Sequence, residues 1–169
     1  MGMFDFFMPV NESEVRKYGK LYDSLKLEYP NLAEDKLVTT SCIAGLMARV
    51  AYTDFHLDDK EVEQMAKSLA GWKISDDINQ AQVVAMAVEH IKEMAGLENH
   101  LYVHPLKTTL TKDERYKVLQ SLFLVAASDG SVDNIESVEI KVICQGLELS
   151  PQHFLSARAE VVEFINALK

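Results

Sequence analysis

Basic residues are scarce in this chain: 17 Lys and Arg stand against 26 Asp and Glu, a formal charge of −9. Nucleic-acid binding needs a cationic stripe that displaces counterions from phosphate, so this balance excludes nucleic acid as a partner. Cysteine is scarcer still. Cys42 and Cys144 are the only two in 169 residues, and both lie in apolar helical stretches (SCIAGL and VICQGL) where they read as small core residues. Neither a disulfide framework nor a zinc framework is expected, and a reducing cytoplasm is the natural setting. No apolar run approaches the ~18 residues of a membrane span. A phosphate-cradling Gly loop, a Gly-x-Ser-x-Gly elbow and a lone Cys with a His partner are all missing. No enzymatic activity and no small-molecule substrate is expected.

What is there is ordinary for a globular domain: 48% hydrophobic and 25% charged residues, in a chain long enough to bury one core. The opening MGMFDFFMPV lacks the basic start and small-residue cleavage site of a secretory signal. Phe6 stands where a myristoylation signal carries Ser or Thr. The segment is read as a short apolar arm that packs on the core, with docking to a membrane or a partner as the other reading.

Hydrophobic periodicity is helical almost throughout. Asn11 and Glu14 form a capping box for a helix running to about Leu27, closed by Tyr29-Pro30. Further helices are expected over about 35–53, from Asp58 to about Leu69 with Gly71 as its stop, and from near Ser75 to about Ala95. Residues 97–110, which include Pro105, are expected to be irregular. Thr111 and Glu114 then cap a helix to Ser128, Asp133 opens one ending near Gly146, and Ser150-Pro151 opens the last, 151–168. The fold class expected is all-α: one domain, 1–169, a bundle of about seven helices. It comprises an N-terminal arm and helix (1–30) and two pseudo-symmetric three-helix units, 35–96 and 111–168.

The two units emerge on shifting the chain by 75 positions. Val50/Val125, Ala51/Ala126, Asp54/Asp129, Asp58/Asp133, Glu61/Glu136, Gly71/Gly146 and Ser75/Ser150 then coincide. Two acidic turns stand out, VAYTDFHLDDKEVEQ and VAASDGSVDNIESVE. Asp58 with Glu61, and Asp133 with Glu136, are explained by helix initiation as capping boxes. Asp54 and Asp129 are not. Each sits at the C-terminal end of a helix, where the dipole disfavours negative charge by ~0.3–1 kcal/mol. A loop amide, a Lys or Arg from the other unit, or a bound cation would each compensate. Carboxylate oxygens suit Ca²⁺ or Mg²⁺ better than Zn²⁺. Neither turn is an EF-hand: counted from Asp129, position six is Asn134 and position twelve Ile140, and the first copy has Asp59 and Met65 there.

VAASDGSVDNIE, and less closely VAYTDFHLDDKE, resemble the signature of TerB-like domains: hydrophobic-Ala-x-x-Asp-Gly-x-hydrophobic-x-x-x-Glu. These are the tellurite-resistance TerB proteins, related to the N-terminal domain of the co-chaperone DjlA, and the resemblance covers about residues 36–168. It implies an all-α domain with pseudo-two-fold repeats and an acidic surface. It further implies a role in metal sensing or stress response and protein partners, in part at the inner face of the membrane. Carried over by position, the acidic site is Asp54, Asp58 and Glu61 with Asp129, Asp133 and Glu136. The first copy departs from the pattern at Phe55, where Gly is expected and Gly130 occurs.

Other candidates are weaker. His100 and His104 have the i, i+4 spacing of a zinc pair, but two ligands do not close a site. His56, beside Asp54 and Asp58, reads as a solvated turn residue or an added ligand. The leading expectation is a non-catalytic, cytoplasmic sensor or adaptor that binds a divalent cation through the acidic turns. The alternative is a metal-independent protein-interaction module with an acidic face.

Overall fold

The computed structural model describes residues 18–93 and 99–169, so the arm and the Asn11 capping box lie outside the described residues. Eight α-helices and no strands occur among the described residues. They are α1 (Gly19–Glu28), α2 (Glu34–Ala51), α3 (Asp59–Gly71), α4 (Gln80–Glu93), α5 (Asn99–Thr109), α6 (Lys112–Ala126), α7 (Asn134–Gly146) and α8 (Pro151–Leu168). A 3₁₀ turn, Ala127–Asp129, continues α6. The helices α3 and α7 share a length of 13 residues, and their bounds differ by the 75-residue offset at both ends.

The centre of the molecule is α2. From Leu37 to Ala51 it is buried on nearly every side, with Ile43, Leu46, Met47 and Val50 fully enclosed. A helix apolar all round needs neighbours all round, and α1, α3, α4, α5, α6 and α7 supply them. Its counterpart α6 buries Leu119, Leu122 and Phe123 against α8, α3 and α7. The ring of Phe123 lies 5.3 Å from that of Phe154 in α8. Cys42 and Cys144 are free and buried, as expected of core residues, and burial pushes the Cys42 thiol up to about 12.

Three sequence expectations are corrected. Residues 99–109 form a helix with Pro105 inside it. Its buried Tyr102, Val103 and Leu106 pack on α2 and α7, and that burial outweighs the missing amide. The helix expected from near Ser75 starts only at Gln80, and Ser75 does not cap it. Asn79 does, its Oδ1 accepting the Gln82 amide at 3.1 Å. The Tyr29 hydroxyl fixes this start from α1, accepting the Asn79 amide at 3.2 Å and donating to Gln82 Oε1 at 2.8 Å. Finally, α3 and α7 end at Gly71 and Gly146 as expected, but Gly71 is not itself the left-handed stop: that conformation falls to Lys73 (φ 50°), and to Glu148 (φ 57°) after α7.

Gly146 has another use. A Cβ there would stand 2.8 Å from Val103 Cγ1, and one on Gly45 would stand 2.6 Å from the Tyr102 ring. Helix α5 therefore sits in two shallow places where a side chain is lacking, one on α2 and one on α7.

Candidate functional site

The two acidic turns are wired alike. After α2, the Phe55 amide donates to Tyr52 O (3.1 Å), and Asp54 Oδ1 accepts the His56 amide (2.9 Å). After α6, the Gly130 amide donates to Ala127 O (2.9 Å), and Asp129 Oδ1 accepts the Ser131 amide (3.0 Å). Both capping boxes form. The Asp58 amide donates to Glu61 Oε2 at 2.8 Å and the Asp133 amide to Glu136 Oε2 at 3.0 Å, while Asp58 and Asp133 cap α3 and α7. The question left open by helix capping has an answer: a loop amide two residues on compensates Asp54 and Asp129, in the manner of an Asx turn.

The position after each of these acids requires left-handed backbone. Gly130 has φ 105° and Phe55 has φ 62°. The first turn therefore carries a bulky side chain where its Cβ meets the carbonyl, at ~1–2 kcal/mol. The Phe55 ring is 72% exposed and stands edge-on to Tyr52 at 5.8 Å, so little burial offsets that strain.

The turns are neighbours. Helix α3, which Asp58 initiates, packs against the 3₁₀ turn holding Asp129. Burial pushes the Glu61 carboxyl up, against the pull of the Asp58 amide, and the charges of Asp54, Asp58 and Asp129 push further in the same direction. Glu136, only 8% exposed, is raised to about 7 by burial, with Asp133, Glu61 and Asp129 adding to it against the pull of the Asp133 amide. Thus Glu136 of the second turn feels the charge of Glu61 from the first, and Glu61 that of Asp129 from the second.

As a donor set the six carboxylates offer the hard oxygens a Ca²⁺ or Mg²⁺ takes, and each also accepts a backbone amide, Asp58 those of both Lys60 and Glu61. Their spacing is looser than their chemistry. Among the described residues no three His, Cys, Asp or Glu side chains stand as a metal-holding group. His56 contributes a backbone amide to the Asp54 turn.

Sequence reasoning overlooked a cation beside this region. Arg49 of α2 reaches Glu139 of α7, Nε to Oε1, at 3.0 Å, with both side chains mostly buried. Nothing local signals a pair 90 residues apart. With Tyr52, Thr53, Phe55, Ile91 and Ile135, the pair lines a cleft of about 150 Å³. No helix among the described residues is long and apolar enough to cross a membrane.

No curated protein and no solved structure matches the chain. The family model of the tellurite resistance protein TerB matches residues 40–159, well over half the chain and both acidic turns, and the chain belongs to that family.

Proposed function

We propose that this protein is a non-catalytic, cytoplasmic stress-response domain of tellurite-resistance type, built as one unit from two related halves, that takes up a divalent cation and acts as sensor or adaptor. The observation that carries this reading is the packing of α3 against the 3₁₀ turn, which sets Glu61 and a buried Glu136 in one acidic environment. Asp54 and Asp129 would be the first ligands, because their free oxygens take no part in helix initiation. Asp58, Glu61, Asp133 and Glu136 would complete the set, directly or through water. A bound Ca²⁺ or Mg²⁺ supplies positive charge that relieves the mutual repulsion of these groups.

The test is calorimetric titration of the metal-free protein with Ca²⁺, Mg²⁺, Mn²⁺ and Zn²⁺, alongside thermal melting. A ligand at 100 times its Kd stabilises the fold by about 2.7 kcal/mol, which melting resolves. At pH 6 the heat should vary with the buffer's ionisation enthalpy, since Glu136 would release a proton. Absence of heat and of any melting shift at millimolar metal removes the cation from the proposal.

A second reading is favoured by a separate observation. All six carboxylates already accept backbone amides, so the turns are built without a cation. On this reading the acidic face meets a basic protein partner, in part at the membrane surface. Capture of the partner should then be indifferent to EDTA and lost in Asp54→Asn with Asp129→Asn.

A further inference from the structure

The outer face of α7 carries an apolar stripe that is not covered. Ile135, Val138 and Val142 are 57%, 64% and 50% exposed, and their i, i+3, i+7 spacing places them on one stripe. At the N-terminal end of the stripe, Ile135 lines the 150 Å³ cleft together with Phe55, Tyr52 and Ile91. That is room for one side chain of about six carbons. Acids gather at this same end. Asp133 caps the helix two residues before Ile135, and Asp54 directly precedes Phe55.

Phe55 makes the stripe more than a chance run of valines. Its ring is mostly in solvent, and its backbone is held left-handed where the other turn has Gly130. A strained, exposed aromatic beside a cleft contributes little to folding, and such outliers gather where a ligand is gripped. We infer that Phe55, Ile135, Val138 and Val142 form the docking surface for an amphipathic helix of a protein partner, with basic residues at the end that meets Asp54 and Asp133.

Charge selects this occupant. A second copy would bring another −9 against the first, whereas a basic helix is steered toward the acidic end. Lys141, the one cation in α7, lies just past its middle, on the C-terminal side of Val138 and eight residues beyond the Asp133 cap, and so sets the direction in which the partner lies. An apolar stripe with a deeper slot at one end is the form of helix-in-groove recognition, read by anchors at i, i+3 and i+7. The proposal deepens the second reading above and rests on it.

The probe is a fluorescein-labelled Leu/Lys peptide, Leu on one helical face and Lys on the other, titrated into the full chain in EDTA and followed by anisotropy. Companions are a scrambled peptide of the same composition and a version with Glu for Lys. The amphipathic peptide should bind about tenfold or more tighter than the scrambled one, and the Glu version should not bind. Phe55→Gly and Val138→Ser should each weaken it about fivefold or more while melting is unchanged or raised, since neither side chain is buried. Equal binding of amphipathic and scrambled peptides, or no loss in either variant, overturns the docking surface but leaves an acidic interaction face standing. Failure of every basic peptide to bind overturns both. Sedimentation showing a dimer that Val138→Ser dissolves also overturns it, assigning the face to a second copy.

Discussion

Phe55 and Gly130 stand at the same place in two turns of the same wiring, both in left-handed backbone, and only one of them suits it. Replacing Phe55 with Gly relieves steric strain but frees the unfolded chain, which offsets part of the gain. The expected net effect is stabilisation of ~0.5–1 kcal/mol, a rise in melting temperature of about 1–4 °C. Gly130→Ala should lose ~1 kcal/mol. Its Cβ would meet nothing nearer than Lys169 Nζ at 4.0 Å, so that loss is conformational rather than a clash.

Gly45, Gly71 and Gly146 should separate cleanly under substitution by Ala. Gly45→Ala and Gly146→Ala force Tyr102 and Val103 off their seats and should destabilise by ~1–3 kcal/mol each in urea unfolding. Gly71 has nothing within 4 Å, so Gly71→Ala should be neutral or stabilising by up to ~1 kcal/mol. A destabilised Gly71→Ala would show that α5 is not what distinguishes these positions.

Stability should fall as pH rises from about 4.5 to about 7. Glu136 is raised to about 7 in the folded protein from an ordinary 4.5, and Glu61 is raised as well. Between those values the folded state binds more protons than the unfolded one, so its advantage is full below 4.5 and lost through 7. Glu136→Gln keeps an oxygen for the Asp133 amide and removes the charge. Its melting temperature should exceed that of the parent by a few degrees at pH 8 and match it near pH 4.5.

Arg49 and Glu139 tie α2 to α7 from a part-buried position. A double-mutant cycle with Arg49→Met and Glu139→Gln should give a coupling of ~1 kcal/mol or more, above that of an exposed pair. The single Arg49→Met variant should be the worse one, because it leaves a half-buried carboxylate without its guanidinium.

Local chemistry in the sequence was enough to locate what local chemistry controls. The boxes at Asp58/Glu61, Thr111/Glu114 and Asp133/Glu136 formed where the Asp/Thr-x-x-Glu spacing put them. Ser150-Pro151 also opened its helix, with His153 standing where Glu usually does. The expectations that failed depend on distant partners. Pro105 reads as a breaker unless the seats on Gly45 and Gly146 are known, and the helix reads as starting near Ser75 until Tyr29 is placed against Asn79. The six acids were legible by offset alone. That Asp54 and Asp129 would be met by amides at 56 and 131 was not, because a side-chain rotamer decides it.

The helix that lies between the two acidic turns in sequence also touches the helix at each of them. Helix α5 rests on α2, which ends at the first acidic turn, and on α7, which begins at the second. A single methyl added beneath Tyr102 or Val103 would thus bear on how α5 seats against the helix at one of the turns.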